Sequence, residues 1–371
     1  MNRTFAIASF VVSAACSLVL AQGQAPAASG KPPSFSLAWS EYPSWSVFGV
    51  ASDRGLINGE LGKQGPLEKK YNIDIELKQA DYDPCLTMYG AGAVDAVCIT
   101  NIDALSPALG RRSVLVLPTS TSDGGDALVA VGVTKIQELK KPKAVYGLSK
   151  SVSEYAFVRG LLKLGENPAD YEFKNMDPAA AATSLQTKAG GIDAIMVWNP
   201  FVLQTLQARS DSRVIFDSTL IPGEIIDSVV IAKDSLDKPG GEAFVLALAE
   251  AFYAVNAMMA DPKKADETYV ALGAKFSNLD AASMRKVCTQ TKFYSDPSQA
   301  VALAVSPEFK KAMETVVEFC VKNEIVIKTP VVGFGPHATT KGDLVIDTSI
   351  IAKLIKPAPA APAKPAAPAA K

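Results

Sequence analysis

The chain has 371 residues, 20% of them charged and 48% hydrophobic, which is enough apolar material for one large domain or two of average size. Its formal net charge is −1, and no long block of like charge interrupts it. That balance argues against a nucleic-acid-binding face, which needs clustered Lys and Arg to displace counterions from phosphates.

The N-terminus is laid out as a secretory signal. Arg3 supplies a positive n-region, residues 5–21 are apolar and uncharged, and Val19-Leu20-Ala21 ends in the small residue that precedes a cut. Cleavage is expected after Ala21. A transmembrane anchor is a second reading of the same run, which at about 17 residues lies at the lower limit for spanning a bilayer. Lipid attachment at Cys16 is a third, although Ser13-Ala14-Ala15 makes a poor lipobox. Residues 22–33 read as a flexible linker rich in Ala, Pro, Gly and Gln. No later run reads as long and uncharged enough to cross a membrane.

A strand is predicted at 35–38, followed by a polar loop and a helix over 45–54 that Gly55 terminates. A helix over 84–91 then leads into Gly92-Ala93-Val94-Asp95-Ala96-Val97-Cys98-Ile99-Thr100-Asn101. This stretch recurs 98 residues later as Gly190-Gly191-Ile192-Asp193-Ala194-Ile195-Met196-Val197-Trp198-Asn199. The second copy also follows a predicted helix, over 178–189. Before it come a strand at 144–148, a loop with Ser151 or Ser153 as N-cap, and a helix over 154–164 ended by Gly165. Each half therefore reads βαβαβ, which implies two similar α/β units, each a mainly parallel sheet flanked by helices, with a cleft between them. Asp95 and Asp193 read as turn residues ahead of buried strands.

Beyond residue 221 the pattern changes to helices, predicted at 241–259, 262–272, 279–286 and 307–322. They are expected to pack back on the first lobe. Residues 331–356 form a closing segment. The tail over 357–371 is almost wholly Pro, Ala and Lys, has nothing to bury, and is expected to be disordered. Cys85, Cys98, Cys288 and Cys320 survive cleavage and form no CxxC pair. A 288–320 disulfide and buried free thiols are both open readings.

Ligands in open α/β sheets sit beyond the carboxyl ends of the strands. That rule nominates 40–45, 100–103, Ser149 with 151–153, and 198–200, with crossing segments at 123–126 and 222–227. Aromatic, amide, hydroxyl and carboxylate groups dominate these loops, and Lys150 is their one cation. An anion receptor wants Arg or a bare helix N-terminus, whereas Glu154 sits in the first turn of the nominated helix. Glu41, Asp103, Asp126, Glu224 and Asp227 suit a ligand with N–H donors or positive charge, and Tyr42, Trp45 or Trp198 can add a cation–π face. His337 is the only histidine, which removes a His-based metal cluster and leaves a Ser–His triad without support. No GxSxG, Walker A or GxGxxG motif occurs.

The stretches Trp39-Ser40-Glu41-Tyr42-Pro43-Ser44-Trp45, 100–105, Ser151-Val152-Ser153, Trp198-Asn199-Pro200 and 221–227 carry a resemblance. Over 35–325 the chain resembles the periplasmic solute-binding proteins of nitrate-, sulfonate- and taurine-type ABC transporters. Within them it is most similar to the branch associated with urea carboxylase, which tends to have His where Glu41 stands. The resemblance implies a type II periplasmic-binding-protein fold, two lobes joined by two crossing strands and closing by a hinge. It implies a small guanidine- or urea-like ligand, with an ABC permease and its ATPase as partners.

The lobes are expected at 34–124 with 226–330, and at 125–225. The expected function is extracytoplasmic binding of a small nitrogenous solute, cationic or amide, by a periplasmic monomer without cofactor or metal and without enzymatic activity. Glu41, Asp103, Asp126 and Glu224 are expected to accept hydrogen bonds from it. Asn101, Asn199, Ser151 and Ser153 are expected to orient it, with Tyr42, Trp45 and Trp198 supplying aromatic faces. The alternatives are a small anion on the same fold, an enzyme resembling those of thiamine-pyrimidine synthesis, and a sensor that signals without transport.

Overall fold

A computed structural model describes residues 30–355. The expected signal over 1–21, the linker up to residue 29 and the tail over 357–371 lie outside the described residues. The first half of the chain runs β1 (Ser34–Trp39), α1 (Ser46–Asp53), α2 (Pro66–Tyr71), β2 (Asp74–Gln79), α3 (Tyr82–Gly90), β3 (Ala96–Thr100), α4 (Leu105–Gly110) and β4 (Ser113–Ser122). The second runs β5 (Asp126–Val131), β6 (Ala144–Gly147), α5 (Val152–Lys163), β7 (Glu172–Asn175), α6 (Pro178–Thr187), β8 (Ala194–Trp198), α7 (Phe201–Ala208) and β9 (Ser212–Asp217).

The local signals act where the sequence puts them. Ser151 caps α5 by accepting a hydrogen bond from the Ser153 amide. The chain leaves α1 and α5 through Gly55 and Gly165, at φ +68° and +76°, a conformation that costs glycine least. The two repeat copies become β3 and β8, buried at every position. In the first sheet β1 lies between β2 and β3, all parallel. In the second, β6 lies between β7 and β8 in the same way.

The sheets are mixed rather than parallel because the strand that follows each crossing runs antiparallel to its neighbours. β4 stays in the first sheet, but the chain crosses at 123–125 and β5 pairs antiparallel with β8 in the second. From β9 it returns through 218–225, and β10 (Ile226–Ala232) pairs antiparallel with β3 and β4. The result is an eight-stranded sheet and a five-stranded sheet joined by two crossing segments. The lobes are thus covalently linked twice, and each crossing carries a left-handed glycine, Gly124 at φ +97° and Gly223 at φ +72°.

The remaining elements buttress the first sheet. They are α8 (Lys233–Leu236), α9 (Gly241–Ala260), α10 (Ala265–Ala274), α11 (Ala281–Thr289), β11 (Thr291–Phe293), α12 (Pro297–Val305) and α13 (Pro307–Lys322). The sequence reading assigned neither α12 nor the strands β4, β5, β10 and β11. It also discounted any later membrane-length run, yet α9 is long and apolar enough by composition; half of its most apolar window is buried against the protein's own core. Within 331–356, β12 (Val332–Phe334) and β13 (Leu344–Ile346) extend the first sheet in parallel beside β4. There His337 Nδ1 lies 2.7 Å from Asp347 Oδ2. All four described cysteines are free thiols. Burial pushes those of Cys85, Cys288 and Cys320 up to about 12, so they remain protonated and poorly nucleophilic at neutral pH.

Candidate functional site

The carboxyl ends of β1, β3, β6 and β8 face one another across a cavity of about 10 Å³, room for about one water molecule in this closed arrangement. That is small among ligand pockets. Tyr42, Trp45, Tyr82 and Thr100 line it from the first lobe, Val152 and Trp198 from the second. Asp126, Ile225 and Asp227 line it from the crossing strands and their approach. The aromatic rings form a continuous wall. Tyr42 and Trp45 centroids are 4.8 Å apart, Trp45 stacks on Tyr82 at 5.5 Å, and Tyr82 meets Trp198 edge-on at 5.5 Å across the lobes. Beyond Tyr82 and Trp198 lies an outer vestibule of about 240 Å³, lined also by Glu41, Asp81, Asp83 and Asp177.

Three buried aspartates lie at the cavity, Asp126 and Asp227 in its wall and Asp103 just behind it. Asp103 accepts from Tyr82 Oη at 2.7 Å and from Thr100 Oγ1 at 3.0 Å. Burial pushes its carboxyl up to about 6 against those hydrogen bonds and the facing Val152 backbone. Asp126 is pushed up to about 7, first by burial and then by the charge of Asp103, against the Ser122 hydroxyl. Asp227 accepts from Ser120 Oγ at 2.6 Å, yet burial and the charge of Asp126 raise it well above the ordinary carboxylate range. No Lys, Arg or His forms an ion pair with any of the three among the described residues, and no cation contributes to their shifts. The buried Tyr42 hydroxyl lies beside Asp227 and Ser122, and Trp45 Nε1 and Ser153 Oγ are buried without a hydrogen-bond partner in the protein. Buried polar groups ordinarily have one.

Asp126 and Asp227 are related by the internal repeat. Asp126 faces Trp198 in the β5–β8 register and Asp227 faces Thr100 in the β10–β3 register. Trp198 and Thr100 hold the same place in the two repeat copies. The next residues, Asn199 and Asn101, donate their backbone N–H to Gly125 O at 3.0 Å and Ile226 O at 2.8 Å, one residue before each acid. The strands themselves match, Asp126-Ala127-Leu128-Val129 against Asp227-Ser228-Val229-Val230. This second repeat, offset by 101 residues, is the signal that finds Asp227 as the mate of Asp126.

The structure brings Tyr42, Trp45, Asp126 and Trp198 to the cavity wall, with Asp103 held just behind it by Tyr82 and Thr100. Other nominated side chains are engaged elsewhere. Glu41 accepts from the Ser277 amide and hydroxyl and lines the vestibule. Glu224 is held bidentately by Arg159 at 2.7 and 2.8 Å and accepts from Tyr155 Oη. Asn101 binds the crossing backbone through Ile226 N and Glu224 O. Asn199 donates to Gln290 Oε1 in the other lobe at 2.9 Å. Ser151 serves α5, donating to Leu148 O; Ser153 lies next to Val152 with its hydroxyl unpaired. Tyr82, Thr100, Val152 and Ile225 are lining residues the sequence reading did not select.

No protein-family model matches the sequence, and no curated protein matches it. Solved structures do. The chain is similar to the periplasmic aliphatic sulphonate binding protein SsuA from Escherichia coli, with a TM-score of 0.63 and 19% identity over 80% of this chain and 90% of that one. It is similar to the alkanesulfonate-binding protein SsuA from Xanthomonas axonopodis pv. citri bound to MOPS, with a TM-score of 0.63 and 16% identity over 81% and 96%. It is also similar to the periplasmic nitrate-binding protein NrtA from Synechocystis PCC 6803, with a TM-score of 0.51 and 12% identity over 77% and 85%. The chain therefore has the two-lobed α/β fold of periplasmic binding proteins. At these identities the likeness establishes the fold and leaves the ligand to be argued from this cavity.

Proposed function

We propose that the protein is an extracytoplasmic solute-binding protein that encloses a small N–H-rich cation between its lobes and delivers it to an ABC permease and its ATPase. The observation that carries the reading is the set of three buried aspartates without a cationic partner. Removing a carboxylate from water costs several kcal/mol unless a counter-charge or proton comes with it. A guanidinium-like or small ammonium ligand supplies that charge, and its N–H groups suit acceptors on opposite sides of the cavity. The aromatic wall adds cation–π attraction. The fold, shared with ligand-binding components of import systems, supports delivery to a transporter. The lobe limits proposed are 34–124 with 226–330, and 125–225. The secretory layout of the N-terminus supports a periplasmic address, and the proposed protein acts as a monomeric carrier without chemistry of its own.

A small anion is the second reading, favoured by the sulfonate and nitrate ligands of the solved neighbours. The cavity wall opposes it, because it offers an anion no Arg, Lys or His. A thermal-shift panel of guanidinium, short alkylamines, urea, taurine, ethanesulfonate and nitrate separates the two, since a ligand stabilises the state it binds in proportion to ln(1 + [L]/Kd). Stabilisation by the cations is expected. Stabilisation by the anions alone overturns the cationic reading.

A further inference from the structure

The three acids do not all belong to one lobe. Asp103 and Asp227 are carried by the first sheet and its turns, and Asp126 begins a strand of the second. Closing the cleft therefore strips water from carboxylates of both lobes at once and sets them around one cavity. Every titratable group that faces them is acidic or neutral. Tyr42 and Tyr82 line the cavity, Ser120 and Ser122 lie against Asp227 and Asp126, Tyr294 and Cys98 lie near Asp227 and Cys320 near Asp103, and no cation contributes to the shifts of the three acids. Like charges sharing a dehydrated site cannot all stay ionised.

We propose that the Asp126–Asp227 pair is the specificity determinant of the cleft: it makes closure conditional on positive charge, so that a cation closes the protein and a neutral molecule of the same shape does not. This deepens the cationic reading and rests on it. In the empty closed state the missing charge is replaced by protons, which the cation displaces from the carboxyls as it binds. The proton balance fixes the direction of the pH effect. Asp103 and Asp126 hold protons up to about 6 and about 7, against 3.8 for an ordinary aspartate. Between those limits the closed empty form binds more protons than the open or unfolded form, so acid favours empty closure and alkali opposes it. Cation affinity moves the opposite way and strengthens as pH rises. A ligand shifts a conformational equilibrium only by its differential affinity for the two states, and here charge supplies that difference.

The test uses the full chain, guanidinium and its neutral isostere urea as probes, with affinity read by calorimetry and closure by small-angle scattering. At about pH 8, guanidinium is expected to bind at least ~100-fold more tightly than urea and to compact the protein, since each factor of ten is about 1.4 kcal/mol of charge discrimination. Toward pH 5.5 guanidinium affinity is expected to fall by roughly tenfold per unit, with proton release visible as a buffer-dependent heat. Asp126→Asn and Asp227→Asn are each expected to compact the empty protein and to collapse the guanidinium-to-urea ratio. The pH titration of the unmodified protein carries the same test if either variant fails to fold. Tight guanidinium binding with no pH dependence, no proton release and undiminished discrimination in the variants overturns the charge gate and leaves the cationic reading intact. Failure of every cation to bind overturns that reading itself.

Discussion

The two lobes repeat one strand order, yet they meet the cavity unequally. The first contributes Tyr42, Trp45, Tyr82, Thr100 and Asp227 to its wall, the second Asp126, Val152, Trp198 and Ile225. The first sheet has eight strands and the support of α9 to α13, while the second has five strands. A buttressed sheet holds side chains in fixed rotamers, and a lighter one moves at less cost. On that difference the first lobe is expected to serve as platform and the second as lid.

The sharpest way to break that comparison is to delete one aromatic from each side. Trp45→Ala removes a buried platform ring that contacts both Tyr42 and Tyr82, and is expected to cost about 3–5 kcal/mol of stability, as other buried aromatic truncations do. Trp198→Ala removes a lid ring that touches Tyr82 edge-on. Its expected effect in denaturant unfolding is at the low end of the same range, about 3 kcal/mol, and it appears also as a faster ligand off-rate. Equal stability losses would contradict the platform–lid division.

Next in size is the strut between lid and crossing segment. Arg159→Met leaves Glu224, with a side chain 12% exposed, without its bidentate partner, and a loss of about 2–3 kcal/mol is expected. Burial opposes ionisation of Glu224, but Arg159 and Tyr155 hold its carboxyl below the usual value. The stability this pair contributes is therefore present above the ordinary carboxylate pKa and lost as pH falls through the depressed one. Acid unfolding of the variant should lack that component.

The smallest effect belongs to the latch across the lobes. Gln290→Ala removes the acceptor of the Asn199 amide. About 1 kcal/mol of closed-state preference is expected to go with it, read as a roughly fivefold faster off-rate with little change in global unfolding. A changed on-rate alone would place Gln290 on the entry path and not in a latch.

The repeat made the two βαβαβ halves readable, because its Gly–Asp turns and buried strands are local patterns. The two crossings are expected only from the resemblance, and the residues alone do not assign the strands β5 and β10. Both are continuous apolar runs whose partners lie on the far side of a crossing, and no local signal chooses the sheet. The same distance limits the site. Glu41 and Glu224 sit in loops that the strand-end rule nominates, yet Ser277, 236 residues away, and Arg159, 65 residues away, take up their carboxylates. Tyr82 stands at the first position of α3 and reaches the cavity only because Asp103 and the Thr100 amide fix its hydroxyl. The scarcity of Arg and Lys in the loops was visible in the sequence. Its consequence, three buried acids left without a counter-charge, required the packing.

Crystals of the full chain grown with a guanidinium salt test the central claim most directly. The expected result is a planar cation between Asp126 and Asp227, its N–H groups within hydrogen-bond distance of both carboxylates and its face against the aromatic wall. An anion in that cavity, or guanidinium bound only elsewhere, would contradict it.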